Sequence, residues 1–242
     1  MGSLSLQETI AANLSDIRLR LARACERAGR SPSSVRLVAV SKTHPIDHVR
    51  AAFAAGQTLF GENRVQEALE KIGVSSDMSI EWHLVGHLQS NKARKAAGVF
   101  ASIHSIDGAD LLRRVEDAAA EADSTPELFV QVDLAGEPTK HGATAEGLLS
   151  IFEAAGACRA ARVTGLMVLP PFTPDPEDAR PYFRRLRDVA YELASRGVPP
   201  PMLRELSMGM SHDFEVAIEE GATLVRVGTS IFGPRSPGLV AR

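Results

Sequence analysis

The chain is poor in the residues that staple, anchor or concentrate charge. Two of its 242 residues are cysteine, Cys25 and Cys158. They lie far apart on segments that read as helix, and neither has a second cysteine near enough for a CxxC pair. That excludes a disulfide framework and a cysteine redox motif, and fits small apolar helix residues in a reducing compartment. No stretch approaches the roughly 20 apolar residues of a membrane span. The opening MGSLSLQETIAANL has no basic n-region, no uninterrupted apolar run and no cleavage site, so no signal peptide is read and a cytoplasmic protein is expected. Charge of one sign is also missing: the net value is −3, with acidic and basic residues interspersed. A nucleic-acid groove or an anionic-membrane anchor needs a field of one sign.

What is present is an apolar core. With 44% hydrophobic residues, a chain of this length buries roughly 70–75% of its unfolded surface without disulfides or metals. The first segment reads as a helix over 5–28: Ser5 and Glu8 form a capping box, Ile10, Leu14, Ile17, Leu21 and Ala24 repeat at helical spacing, and Gly29 ends it. The pattern then changes. VRLVAVS (35–41) is short, apolar and β-branched, as a buried parallel strand should be. Similar strands are predicted at 58–62, 81–86, 99–106, 127–134, 162–169, 202–209 and 224–232. Helices are predicted between and after them at 46–55, 63–72, 89–97, 108–122, 144–157, 178–195 and 212–220.

Strict β-α alternation implies parallel strands joined by right-handed crossovers. About eight strands in under 250 residues fit a closed (β/α)8 TIM-type barrel. An open doubly wound sheet usually carries a Gly-rich turn after its first strand, and SKTHP is not one. The Pro-rich PPFTPDP (170–176) interrupts neither rhythm nor domain, so one domain over 1–242 is expected. The extra N-terminal helix is expected to cover the barrel's last gap or its bottom.

Sites in such barrels lie at the carboxyl ends of the strands. This rule selects Lys42, Asn63, His83, Gly86, His87, His104, Ser105, Asp133, Lys140, Met167, the run Ser207-Met208-Gly209-Met210-Ser211, and Arg226-Val227-Gly228-Thr229. A phosphate site is frequently built from the loops after strands seven and eight. Ser207–Ser211 runs into a helix start, and Gly228 and Thr229 supply backbone N–H groups at close approach. Ser211 as a simple helix cap and Gly228 as a simple turn are the alternatives. Lys42 directly follows a buried strand, where a lysine held neutral forms Schiff bases. An anion site across the same mouth suggests an aldehyde that carries a phosphate, with Arg226 able to contact a ring nitrogen. The histidines form no HxxxH or HxH pair with acidic company, so no metal site is expected. His83 stacks on a bound ring beside Trp82 or is a plain core histidine. Glu62 is ambiguous between site and surface.

The strings LVAVSKTHP (37–45), FGENRVQEALEK (60–71), WHLVGHLQSNK (82–92), HSID (104–107), GLMVLPP (165–171) and LSMGMSHDFEVAIEEGATLVRVGTSIFGPR (206–235) resemble the pyridoxal phosphate homeostasis proteins. This YggS/PROSC-type family is related to the N-terminal domain of alanine racemase, and the resemblance covers nearly the whole chain. It implies a barrel bearing pyridoxal 5′-phosphate (PLP), with Lys42 as the Schiff-base lysine. It also implies that Ser207, Gly228 and Thr229 hold the phosphate, that Arg226 faces the pyridine nitrogen, and that Asn63, His83 and Met167 line the ring pocket, with Met208 a further cofactor-binding residue. Two departures are local: Asp133 stands where asparagine is common, and His212 where SNDF is usual.

The resemblance implies binding; catalysis needs more. An arginine at the pyridine nitrogen leaves it unprotonated and the ring a poor electron sink. Racemisation also needs a base on each face of the substrate carbon. In alanine racemase the second base is a tyrosine from a C-terminal domain of the partner subunit, whereas Tyr182 and Tyr191 here lie on the helix after the sixth strand. The expectation is a monomeric, non-enzymatic PLP carrier that serves vitamin B6 balance, with PLP-dependent apo-enzymes as recipients. The alternative is an amino-acid racemase or other PLP enzyme of weak activity.

Overall fold

The apolar repeat of the first segment folds as read. In the computed structural model, which describes residues 4–136 and 141–234, α1 spans Leu6–Arg27. Its capping box is formed: Ser5 Oγ accepts from Glu8 N–H and the Glu8 carboxylate accepts from Ser5 N–H. Ile10, Leu14, Ile17, Leu21 and Ala24 are all buried.

Among the described residues, β1 (Arg36–Val40), β2 (Leu59–Glu62), β3 (Glu81–Leu84), β4 (Ser102–Ile106), β5 (Glu127–Gln131), β6 (Arg162–Met167), β7 (Glu205–Met210) and β8 (Leu224–Val227) pair in sequence order and close into a parallel barrel. The helices between them are α2 (Ile46–Ala54), α3 (Val65–Gly73), α4 (Ala93–Ala97), α5 (Ala109–Glu121), α6 (Ala145–Ala155), α7 (Arg180–Ser195) and α8 (Phe214–Glu219). After β8 comes one turn, α9 (Thr229–Phe232). That turn corrects the expected strand over 224–232. Its β-branched composition suits either state, but at Gly228 the chain coils, and the Ile231 and Phe232 amides bond back to the Gly228 carbonyl. The seventh strand also starts later than expected, because Pro200–Met202 forms a 3₁₀ turn.

α1 packs against α2, α8 and α9 and so covers the last gap, not the bottom. Asn13 Nδ2 donates to the Ile231 carbonyl, and Arg20 grips Glu215. Strand alternation divides the core in two. Phe60, Leu84, Leu128, Leu166 and Val225 pack outward against the helices, while Val38, Val40, Val85, Phe129, Met167 and Leu224 fill the interior. Cys25 and Cys158 are free thiols, both pushed up by burial, Cys158 to about 11. No helix among the described residues is long and apolar enough to cross a membrane.

Candidate cofactor site at the barrel mouth

Lys42 follows β1 by two residues and is half-buried, inside an unusual turn. Thr43, next to it, has φ 66°, a left-handed conformation that a β-branched residue adopts only under constraint. The constraint comes from behind the barrel wall. Thr43 N–H donates to Glu67 Oε1 at 2.6 Å, and Lys71 Nζ donates to that carboxylate, to Glu62 Oε1 and to the Ser41 carbonyl at 2.9, 2.7 and 2.8 Å. Ser41 Oγ donates to Glu62 at 2.6 Å. Lysine, two glutamates and a serine thus hold both flanks of the Lys42 peptide. Burial pushes the Glu62 carboxyl up to about 7, against the pull of Lys71 and Ser41, and leaves its Oε2 without a hydrogen-bond partner. Burial also opposes ionisation of Glu67, but the bonds from Lys71 and Thr43 outweigh it and hold Glu67 below the usual range.

Across the β1–β8 seam lies a set of backbone donors. Ser211 Oγ accepts from the N–H groups of Gly228 and Ser230 at 3.1 and 3.4 Å. A Cβ on Gly228 would stand 3.0 Å from the Val40 carbonyl, so glycine lets this loop lie against the strand that carries Lys42. Gly209 bends the end of β7: its φ is +92°, and a Cβ there would meet Ala217 Cβ at 2.6 Å. Asp213 closes the turn, accepting from Met210 N–H at 2.6 Å; burial raises its pKa.

This geometry corrects the reading of the SMGMS run. Ser207 is not beside the Gly228 and Ser230 amides. Its side chain lies inside the barrel, where Arg226 Nη1 donates to its Oγ at 2.5 Å and His104 Nδ1 stands 2.8 Å away. The serine at the amides is Ser211, four residues on. Met208 is also displaced, fully buried in the layer between barrel and helices. Arg226 itself lies in the barrel interior. Nη2 donates to the Val168 carbonyl at 2.8 Å, and burial lowers its pKa to about 10 against the attraction of Asp213. Thr229 opens α9 beside Gly228.

Of the two readings of His83, its burial matches the core histidine. Trp82 faces outward onto Phe60, so it is no companion for a ligand stacked on His83. The His83 ring is fully buried, with Nε2 3.1 Å from Glu81 and Nδ1 2.9 Å from His104 Nε2. Met167 belongs to the interior cluster and Asn63 is half-buried just beyond β2. Asp133 is spent on a turn, accepting from the N–H groups of Ala135 and Gly136. His212 meets the Pro174 carbonyl at 3.0 Å. Lys140 lies outside the described residues.

Spacing rules missed one grouping. His87, Asp107 and His141, from three different loops, bring their ligand-type atoms within 4.8 Å of one another, and the two imidazoles stack at 3.5 Å. At the opposite end of the barrel a cavity of about 560 Å³ is bordered by Arg36, Glu81, Glu127 and Arg162. It lies at the strands' amino ends, away from Lys42.

The family described as alanine racemase, N-terminal domain, matches residues 12–236. The pyridoxal phosphate homeostasis protein of Aquifex aeolicus is 44% identical over 92% of this chain and 96% of its own length; that of Escherichia coli K12 is 38% identical over 93% and 97%. PipY of Synechococcus elongatus, solved with PLP bound, superposes with a TM-score of 0.82 at 40% identity, covering 93% of this chain and all of PipY. An alanine racemase of Clostridium difficile shares the fold (TM-score 0.71, 12% identity), over 96% of this chain and 58% of its own.

Proposed function

The chain belongs to the alanine racemase N-terminal domain family and, within it, to the pyridoxal phosphate homeostasis proteins, and from that premise we propose that it binds PLP at the barrel mouth and holds it on Lys42 for storage and release. The observation that carries this reading is the approach of Gly228 to the Val40 carbonyl, which sets backbone donors beside the strand that presents the lysine. A phosphate fits those donors: the Gly228 and Ser230 amides already converge on one oxygen, that of Ser211. Ser211 therefore joins Gly228 and Thr229 as the phosphate residues. Arg226 supplies a buried cationic donor suited to a ring nitrogen, and Asn63 and Met167 are the remaining pocket candidates.

The bound aldehyde supplies an electrophilic carbon. The Lys42 amine forms one C=N bond with it as the carbonyl oxygen leaves as water, and hydrolysis returns both partners unchanged. The exchange consumes no oxidant or reductant and suits a reservoir. Turnover is disfavoured by the same residues. Arg226 offers no anion to keep a pyridine nitrogen protonated, and both tyrosines, Tyr182 and Tyr191, sit on α7 outside the mouth. The relatives are named for homeostasis, in keeping with a role in supplying PLP-dependent apo-enzymes. A monomer in the cytoplasm suits that role.

Reduction with borohydride tests the attachment. The PLP-loaded protein should lose its visible absorption and gain cofactor mass on the peptide that contains Lys42. Covalent loading that survives Lys42→Ala would overturn the assignment. The shared fold with alanine racemase favours weak racemisation as a second reading. Incubation with L-amino acids in D₂O separates the two: deuteration of the α-carbon above the Lys42→Ala background would make the protein an enzyme.

A further inference from the structure

Five polar side chains touch in series through the barrel. Glu81, at the rim of the amino-end cavity, meets His83 Nε2 at 3.1 Å; His83 Nδ1 meets His104 Nε2 at 2.9 Å; His104 Nδ1 meets Ser207 Oγ at 2.8 Å; and Arg226 Nη1 reaches the same oxygen at 2.5 Å. His83, His104 and Ser207 have no solvent exposure and Arg226 has 4%, while the Glu81 side chain is 44% exposed.

With both imidazoles neutral, the ends determine the direction of every bond between them. A guanidinium only donates and a carboxylate only accepts. Ser207 Oγ accepts from Arg226 and passes its own proton to His104 Nδ1. A neutral His104 then carries its proton on Nε2 and gives it to His83 Nδ1, and His83 donates from Nε2 to Glu81. Each neutral member has one donor and one acceptor in use, so the chain is satisfied in one arrangement. Burial, with the Arg226 and Arg36 charges nearby, holds His104 well below the usual histidine range, which keeps it neutral as the arrangement requires.

We propose that Glu81, His83, His104 and Ser207 form a one-directional hydrogen-bond relay that positions Arg226 and ties it to the protonation state of the amino-end cavity. The bond from His83 holds the Glu81 carboxyl below the usual glutamate range, so Glu81 accepts at neutral pH and donates only once it is protonated in acid. Both histidine tautomers then reverse, and the Ser207 hydroxyl proton loses its acceptor in the chain. The relay stands on this chain's own geometry; its consequence for a ring nitrogen rests on the function proposed above. The other charges facing it are Arg36, near Glu81 and His104, and Asp213, near Arg226. All four are positioning residues, acting on the ligand through Arg226.

Long-range ¹H–¹⁵N spectra of the ligand-free protein test this directly. Both histidines should be Nε2–H tautomers. Glu81→Gln should shift the resonances of His83, His104 and the Arg226 guanidinium. Glu127→Gln, at the same cavity rim but outside the chain, should leave the last two unmoved. A Glu81→Gln effect that stops at His83, or a proton on His104 Nδ1 in the unsubstituted protein, would overturn the relay. Titration with PLP adds a second arm: Glu81→Gln should bind roughly fivefold more weakly, as expected for one loosened hydrogen bond, with a displaced pH midpoint in the bound-cofactor spectrum. Unchanged affinity and midpoint count against the relay. If the unsubstituted protein takes up no PLP, the functional reading fails, and the spectra still decide the relay.

Discussion

Inside the barrel, Glu81, His83, His104, Ser207 and Arg226 are joined end to end with both nitrogens of each imidazole occupied. Between the barrel wall and α3, Ser41, Glu62, Glu67 and Lys71 are gathered around one ammonium, and Glu62 Oε2 is left without a partner. The inner network places its charges at its ends, with neutral groups between; the outer one buries them against each other. The first aims Arg226, and the second shapes the turn that carries Lys42. Their responses to pH are opposite in sign. Glu62 has a folded pKa raised to about 7, so its contribution is complete below the ordinary glutamate value and is lost as pH rises toward 7. His104 has a depressed folded pKa, so its contribution is complete above the ordinary histidine value and is lost as pH falls below it.

Removal of the outer ammonium should have the largest effect. Lys71→Met leaves the buried Glu62 and the half-buried Glu67 without their shared cation, a loss of about 3–5 kcal/mol. For a chain of this size that lowers Tm by roughly 10 °C, read by calorimetry at neutral pH. Covalent PLP loading should fall with it, as the Thr43 turn relaxes. A loss under about 1 kcal/mol would show that the outer network does not hold the turn.

Glu62→Gln separates the two pH responses. Between pH 5 and 8 the unsubstituted protein should lose on the order of 2 kcal/mol through Glu62. The glutamine variant should lose none of this, and should display the acid-side loss through His104 alone. Denaturant titrations at several pH values give both curves, and parallel curves would break the contrast.

Much of this was legible in the sequence, and the failures share a physical cause. Strand–helix alternation gave the barrel, and Lys42 was placed by the end of an apolar β-branched run. The choice between Ser207 and Ser211 was not legible. Within β7 the register shifts between Ser207 and Met210, at the left-handed Gly209, so counting from the strand cannot tell which serine enters the barrel. His83 and His104 depend on the pairing of β3 with β4, a contact 21 residues apart in sequence that no local pattern encodes. Glu62 stayed ambiguous for a related reason. A glutamate at a strand end usually reads as solvated, and only the packing of α3 on the wall brings Lys71, from its last turn, onto the buried carboxylate.

The smallest expected effect is the most discriminating. Ser207→Ala removes the neutral link of the inner network, leaving Arg226 Nη1 without its acceptor and His104 Nδ1 without its donor. Arg226 keeps its bond to the Val168 carbonyl, so the cost should be about 1–2 kcal/mol, below that of a stranded charge. With Glu62→Gln in the same chain, the two losses should add within roughly 0.3–0.5 kcal/mol, because the networks share no hydrogen-bond partner. A larger departure from additivity in the double-mutant cycle would mean that the Lys42 turn and Arg226 move as one unit. The division into an inner aiming network and an outer shaping one would then be wrong.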